Sequence, residues 1–277
     1  MTPSKTILIT GCSSGIGLAT ALALKAAGWR VFASCRQAAD VARLAEQGLE
    51  SLQLDVRDSA SINAALAEVL ARSGGTLDAL FNNAGVGQPG AVEDIRREVM
   101  RDQFEVNLFG AWELTNAVLP VMRRQGHGRI LFNSSILGFA AMKWRGAYNA
   151  SKYAMEGLCD TLRLELAGSG IHVSLVEPGP IESRFRPNAL ERFVQHVDIE
   201  HSVHRDMYQR QLQRLKKVGH AAPFTLPAST VANTVLKALT CSRPAPRYRV
   251  TFPTHLFWFL KRILPTRWFD KATGAAA

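Results

Sequence analysis

The chain has 277 residues, 47% of them hydrophobic, which suits one large α/β domain and argues against disorder. Four scattered cysteines without a CxxC pair (Cys12, Cys35, Cys159, Cys241) fit free thiols in a reducing cytoplasm, and no run nears the roughly 18 apolar residues needed to span a bilayer. The net charge of +10 is uneven: residues 1–183 carry 17 Lys+Arg against 18 Asp+Glu, residues 184–277 carry 16 against 5. Such a basic third can attract anionic substrates, membrane headgroups or nucleic acid, and charge alone selects none of them; no nucleic-acid motif accompanies it.

Short β-type runs alternate with helical patterns from the start. Lys5–Thr10 reads as a buried strand rather than a signal peptide, Gly15–Ala27 as a helix, Val31–Ser34 as a strand and Ala38–Gln47 as a helix. Leu52–Leu54 is a strand, Ser61–Arg72 a helix, Leu77–Asn82 a strand, and Gln103–Arg123 a long helix broken at Pro120. Arg129–Ser134, Ala147–Ala167 and Ile171–Glu177 follow as strand, helix and strand. This alternation implies right-handed βαβ crossovers and a doubly wound parallel sheet of Rossmann type, helices on both faces, with no linker that would separate a second domain.

The rhythm changes after residue 183. Residues 184–220 are polar and helical in character, Pro227–Leu239 is a further helix, and Tyr248–Thr251 a last strand. His255–Leu264 is short, apolar and aromatic, and the closing Gly-Ala-Ala-Ala reads as a frayed tail. The expected division is a cofactor-binding and catalytic core over residues 5–183 and a substrate-lid and C-terminal region over residues 184–277.

Thr10-Gly11-Cys12-Ser13-Ser14-Gly15-Ile16-Gly17 follows a strand and opens a helix. Glycines let the backbone turn tightly and approach a pyrophosphate, which the free N–H groups of the helix N-terminus then hold. In Rossmann folds the end of the second strand selects the dinucleotide, an acid bonding the NAD ribose and an arginine admitting the NADP 2′-phosphate. Here that end is Val31-Phe32-Ala33-Ser34-Cys35-Arg36, without a carboxylate. Arg36, helped by Ser13 or Ser14, is the candidate for the 2′-phosphate, so NADP(H) is expected over NAD(H).

Tyr148-Asn149-Ala150-Ser151-Lys152 puts a phenol and an ammonium on one helix face. The cation favours phenolate, so Tyr148 is expected to titrate nearer neutrality than the ordinary phenol value of about 10 and to pass a proton to or from an alcohol oxygen. Together these stretches, TGxxxGxG at 10–17 and YxxxK at 148–152, resemble the short-chain dehydrogenase/reductases. The resemblance covers about residues 5–183 and is nearest to the hydroxysteroid and retinol dehydrogenase branch, through Gly11–Gly17, Leu54-Asp55-Val56-Arg57-Asp58 and Glu156-Gly157-Leu158-Cys159.

What the resemblance implies can be placed residue by residue. The catalytic set is Asn107, Ser135, Tyr148 and Lys152, with Ser134 the rival of Ser135, whose spacing from Tyr148 matches the family. Ser135 would steady the substrate oxygen, Lys152 would grip the nicotinamide ribose, and Asn107 would bend its helix and hold a water in a proton relay. Gly11, Ser13, Ser14, Gly15, Ile16 and Gly17 would hold the pyrophosphate, and Asp55 and Val56 would meet the adenine. Asn83, Ala84 and Gly85 would lie under the adenosine side, while Pro178, Gly179, Ile181 and Ser183 would wrap the carboxamide, Ser183 standing where a threonine is common. The reaction implied is interconversion of a ketone or aldehyde and an alcohol, and a homodimer or homotetramer is expected by analogy, through the helices at 103–123 and 147–167.

An apolar substrate is expected, with Phe139, Met142 and Trp144 either lining its pocket or serving as ordinary packing. His196, His201 and His204 lack ligand spacing, so no metal is expected. Phe252–Phe269, rich in aromatic residues beside Lys261, Arg262 and Arg267, either docks on the core or another subunit or anchors the enzyme at a membrane surface. The competing functional class is an NADP(H)-binding redox sensor without turnover, against which the full catalytic set argues.

Overall fold

The computed structural model describes residues 4–217, 219 and 222–275. Its first half runs β1 (Thr6–Ile9), α1 (Gly15–Ala26), β2 (Arg30–Cys35), α2 (Ala38–Glu46), β3 (Glu50–Gln53), α3 (Ser59–Ser73) and β4 (Ala79–Asn82). There follow α4 (Arg97–Phe104), α5 (Gly110–Gln125), β5 (Gly128–Asn133), α6 (Gly146–Glu165) and β6 (Ile171–Glu177). The chain continues through α7 (Phe185–His196), α8 (Arg205–Lys216), α9 (Ala228–Thr240), β7 (Arg247–Arg249), α10 (Phe252–Ile263) and α11 (Thr266–Ala275).

All seven strands pair in parallel, in the order β3-β2-β1-β4-β5-β6-β7. The strands are apolar at consecutive positions because both faces are covered, and the pleat sends successive side chains to opposite sides. Leu8, Phe32, Leu80 and Ile130 enter the core under α3, α5 and α6. Ile7, Ile9, Ala79, Phe81 and Leu131 enter the core under α1 and α9. Strand order reverses between β1 and β4, and the crevice beyond the carboxyl ends at such a switch point is where doubly wound sheets bind ligands.

Pro120 does not break its helix, contrary to the sequence expectation: α5 runs through it. A single proline removes one backbone bond, and the packed face of Leu114, Val118, Val121 and Met122 outweighs that loss. The irregularity lies earlier, at Glu105–Phe109, which forms a turn of π-helix between α4 and α5. The helix also begins earlier than expected, at Arg97. At the C-terminus Gly274 and Ala275 belong to α11, whereas the last two residues of the expected tail lie outside the described residues.

Residues 184–216 form a lobe with its own small core of Phe193, Tyr208 and Leu215 beside Ala91 and Val197. Tyr208 ties it to the loop after β4: its hydroxyl accepts from the Ala91 amide at 2.9 Å and donates to the Asp94 carboxylate. A pair of backbone bonds joins the loop after β6 to the segment before α9, from Glu182 N to Leu226 O at 2.9 Å and from Leu226 N to Pro180 O at 3.1 Å.

Candidate active site

The glycine turn sits at the end of β1, at the switch point, and its geometry explains the residue types there. Gly11 and Gly15 adopt φ of 71° and 57°, where side chains are strained. A Cβ on Gly11 would lie 2.9 Å from Ala84 Cα, and one on Gly15 would lie 2.9 Å from Ser183 Cβ. One on Gly17 would collide with the Gly11 carbonyl oxygen at 2.3 Å and with Asn83 Nδ2 at 2.6 Å. The turn is thus gripped between the loops after β4 and β6, and Ser14, extended at φ −168°, leads into the N-terminus of α1.

Asn83 locks the turn to its neighbours. Its Nδ2 donates to the Thr10 and Gly11 carbonyls at 2.9 and 3.2 Å, and its Oδ1 accepts from Asn133 Nδ2 at 2.9 Å. The Asn83 and Ala84 amides both donate to Thr10 Oγ1, at 3.0 and 2.9 Å. Ile16 packs against the α1 side of the core. Asp55 receives Arg57 Nη2 at 2.8 Å and Nε at 3.1 Å, and that guanidinium holds its carboxyl below the ordinary range. The Val56 carbonyl lies so close to the start of α5 that a Cβ on Gly110 would come within 2.0 Å of it.

Arg36 follows β2 on the exposed rim, its carbonyl accepting from Gln53 Nε2 at 3.0 Å. A second arginine stands at the same rim. Arg43 Nη2 donates to the Ser13 carbonyl at 2.6 Å and to Asp40 Oδ1 at 2.8 Å. Sequence reasoning missed Arg43, because its contact with the turn spans 30 residues and only the docking of α2 makes it.

Helix α6 carries Tyr148 and Lys152 toward the end of β5. The Tyr148 hydroxyl faces the Ser135 side chain, which lowers its pKa, but burial dominates and pushes the phenol up to about 12. This reverses the sequence expectation of a phenol drawn toward neutrality: Lys152 Nζ stands 5.7 Å from the ring centroid, too far for its charge to offset desolvation. Burial also pulls Lys152 down to about 8. Its Nζ donates to the Asn133 carbonyl at 2.6 Å.

Ser134 and Ser135 part company at the end of β5. Ser134 Oγ turns inward and donates to Glu156 Oε1 at 2.5 Å, in a buried cluster where Arg247 Nε also bonds Glu156 Oε2 at 3.0 Å. Ser135 Oγ accepts from the Leu137 amide at 3.1 Å and faces Tyr148. Asn107 lies at the centre of the π turn, fully buried. Its Oδ1 accepts from Val86 N at 2.8 Å, while its Nδ2 donates to Val86 O at 3.0 Å and Ser151 Oγ at 3.1 Å. The irregular turn therefore sets an amide that ties the loop after β4 to α6. A Cβ on Gly85 would lie 3.4 Å from Asn107 Oδ1 and 3.9 Å from Lys152 Nζ.

A cavity of about 210 Å³ opens beside Tyr148, between the loop after β6, α7 and α8. Leu137, Ile181, Phe185, Ala189 and Leu215 give it apolar walls. Phe139, Met142 and Trp144 are not among its walls. Phe139 and Met142 pack with Phe257 and Phe269 of α10 and α11, and Trp144 packs edge-on against Tyr208. Of the loop after β6, Pro180, Ile181 and Ser183 reach the cavity, whereas Gly179 packs against Thr251 and the Pro178 carbonyl accepts from Ile136 N at 2.8 Å. The three histidines lie elsewhere: His204 bonds Glu93 at 2.5 Å, His201 bonds Asp198 at 3.0 Å, and His196 ends α7.

The short chain dehydrogenase family pattern matches residues 5–192, the span that carries six of the seven strands together with Asn107, Ser135, Tyr148 and Lys152. The chain belongs to that family. This short-chain dehydrogenase is similar to the uncharacterized oxidoreductase YbbO of Escherichia coli, at 43% identity over 96% of this chain and 93% of that one. It is similar also to the human 17-beta-hydroxysteroid dehydrogenase type 1, at 36% identity over 88% and 77% of the two chains. A short chain dehydrogenase/reductase from Burkholderia phymatum, solved in complex with NAD, superposes with a TM-score of 0.79 at 26% identity, over 99% and 96% of the chains. The chain is thus an oxidoreductase of the short-chain type, built on the nucleotide-binding fold its sequence implies.

Proposed function

We propose that the chain is an NADP(H)-dependent reductase or dehydrogenase that interconverts a ketone or aldehyde and an alcohol on a largely apolar substrate. The observation that carries this reading is the Tyr148 phenol facing the Ser135 side chain beside an apolar-walled cavity. Gly11, Gly15 and Gly17 form a cradle that any side chain would fill, which fits a dinucleotide pyrophosphate at the N-terminus of α1. When bound, the nicotinamide supplies or accepts the hydride.

In this reading Ser135 steadies the substrate oxygen and Tyr148, protonated across the neutral range, hands its proton to that oxygen as negative charge develops there. Lys152 adds positive charge near the phenol and offers Nζ to the cofactor ribose, oriented by its bond to the Asn133 carbonyl. Asn107 acts by position, holding the Val86 backbone against α6. Its full set of hydrogen bonds favours this role over direct contact with a relay water.

NADP preference is supported by Arg36 and Arg43 at one rim of the turn, with the Asp40 carboxylate engaged by Arg43. Residues 184–277 would act as lid and substrate region. The exposed Phe109 and Trp112 near one long helix, with Tyr153 and Leu164 on the other, support a homo-oligomer through those helices. The four free cysteines accord with a cytoplasmic enzyme. Helix α10 docks on the core through Phe257 yet leaves Phe252, Leu256, Phe259 and Ile263 exposed beside Arg262, which supports peripheral contact with a membrane.

The deciding experiment follows oxidation of NADPH and NADH in parallel against ketones and aldehydes of graded apolar size. Turnover favouring NADPH, with the preference reduced in Arg36→Ala and Arg43→Ala, is the expected outcome. A preference for NADH overturns the cofactor assignment, and tight cofactor binding without turnover across the panel moves the reading to a redox sensor.

A further inference from the structure

The cavity beside Tyr148 holds a charge pattern that a purely apolar substrate does not use. Three arginines line it, Arg145, Arg186 and Arg214, against one carboxylate, Glu182, which is itself engaged. They come from separate elements: Arg145 at the N-cap of α6, Arg186 in the first turn of α7 and Arg214 in the last turn of α8. All three are half-buried.

None of the three pairs with a carboxylate among the described residues. Arg145 Nη1 meets Met142 Sδ at 3.4 Å, Arg186 Nη2 donates to the Gly219 carbonyl at 2.6 Å, and Arg214 Nε donates to Gln211 Oε1 at 3.0 Å. A guanidinium has five donors, so most of theirs are left over. Several other half-buried arginines are paired with carboxylates: Arg30 and Arg72 share Glu50, Arg192 meets Asp102, and Arg247 meets Glu156, Asp160 and Glu177, while Arg129 is satisfied by the carbonyls of Ala238 and Cys241. Arg145 also stands at a helix N-terminus, where the peptide dipoles favour an anion over a cation. Burial and the neighbouring Arg214 pull Arg145 down to about 10, and burial and Arg186 lower Arg214. Unpaired like charges in a half-buried wall cost free energy that a bound anion recovers.

Resting on the carbonyl–alcohol reading above, we infer that the substrate is an amphipathic anion, its carbonyl at Tyr148 and Ser135 and a terminal oxyanion held by Arg145, Arg186 and Arg214. Its apolar middle lies along Phe185, Ala189 and Leu215, which stand in the same cavity. Arginine suits this task, since its planar fork matches a carboxylate or sulfate through two parallel bonds.

The test is calorimetric binding of an ω-hydroxy fatty acid, the matching ω-hydroxy alkyl sulfate and the methyl ester of the acid to the full chain with NADPH, which cannot reduce an alcohol. At least one anion is expected to bind about tenfold or more tighter than the neutral ester. That ratio falls toward one in Arg214→Gln and in Arg186→Gln, and recovers in part in Arg214→Lys, with thermal melts checking that each variant folds. Acid preference alone marks a carboxylate and sulfate preference alone a sulfate ester; equal binding of all three ligands, or a ratio that survives both substitutions, overturns the inference. Turnover of the corresponding aldehydes separates the two readings. Reduction of the neutral aldehyde without anion preference defeats the oxyanion site alone, whereas retained anion preference in binding without turnover of any aldehyde defeats the redox reading alone.

Discussion

A phenol pushed up to about 12 and an ammonium pulled down to about 8 stand on one helix turn, and burial moves both. Tyr148 therefore keeps its proton at neutral pH, and in the proposed reaction it is the donor when a carbonyl is reduced. Tyr148→Phe is expected to leave cofactor affinity in a fluorescence titration essentially unchanged and to lower turnover by about a thousandfold; unaltered turnover would remove Tyr148 from the chemistry. Lys152 has a depressed value, so its charge is present below about pH 8 and is lost as pH rises through it. Reductase activity at saturating cofactor should accordingly decline above about pH 8, and the residual activity of Lys152→Arg should lack that inflection. A flat wild-type profile to pH 10 would show that the Lys152 charge does not matter to the rate.

The elements explain why these residues meet. The π turn of Glu105–Phe109 aims Asn107 at Val86 and Ser151, so three segments distant in sequence share one amide. The glycine turn is equally a product of its neighbours, because Ala84, Asn83 and Ser183 crowd it from two other loops. Gly17→Ala is expected to weaken dinucleotide binding by roughly ten- to a hundredfold, the equivalent of about 1–3 kcal/mol of steric cost. Gly157→Ala in α6, where a Cβ meets nothing within 4 Å, is the control and should raise the melting temperature through helix propensity. Equal cofactor affinity in Gly17→Ala and wild type would mean that the turn yields more easily than its contacts imply.

At the scale of the whole molecule the basic excess of the last third divides between two places. Part of it, Arg186 and Arg214, turns inward to the cavity, and part flanks the exposed apolar face of α10 and α11, where Phe259 and Trp268 are 53% and 67% exposed. No helix among the described residues is long and apolar enough to cross a membrane. Sedimentation with anionic vesicles at low salt is expected to carry the chain into the pellet, and Phe259→Ser with Trp268→Ser to release it. A chain that stays in the supernatant with the vesicles present would leave that face to another subunit.

Alternation of strand and helix, the glycine spacing and the Tyr148–Lys152 pair were legible in the sequence, because each follows from local periodicity or from a short motif, whereas Ser135 was favoured over Ser134 only through its family-like interval from Tyr148. The doubly wound parallel sheet and the family could be read that far. What the sequence could not decide depended on packing between distant segments. Pro120 looked like a break, yet a buried helix face carries it; Trp144 could be read as pocket wall or as packing, and it packs on Tyr208. Arg43 gave no local signal, since α2 alone brings it to Ser13. Ser134 and Ser135 are adjacent and chemically identical, and only the buried Glu156 draws one away and leaves the other facing Tyr148. Composition counted the arginines of the last third, but tertiary structure decided which of them face the cavity without a carboxylate partner, because burial and pairing are properties of the folded surface.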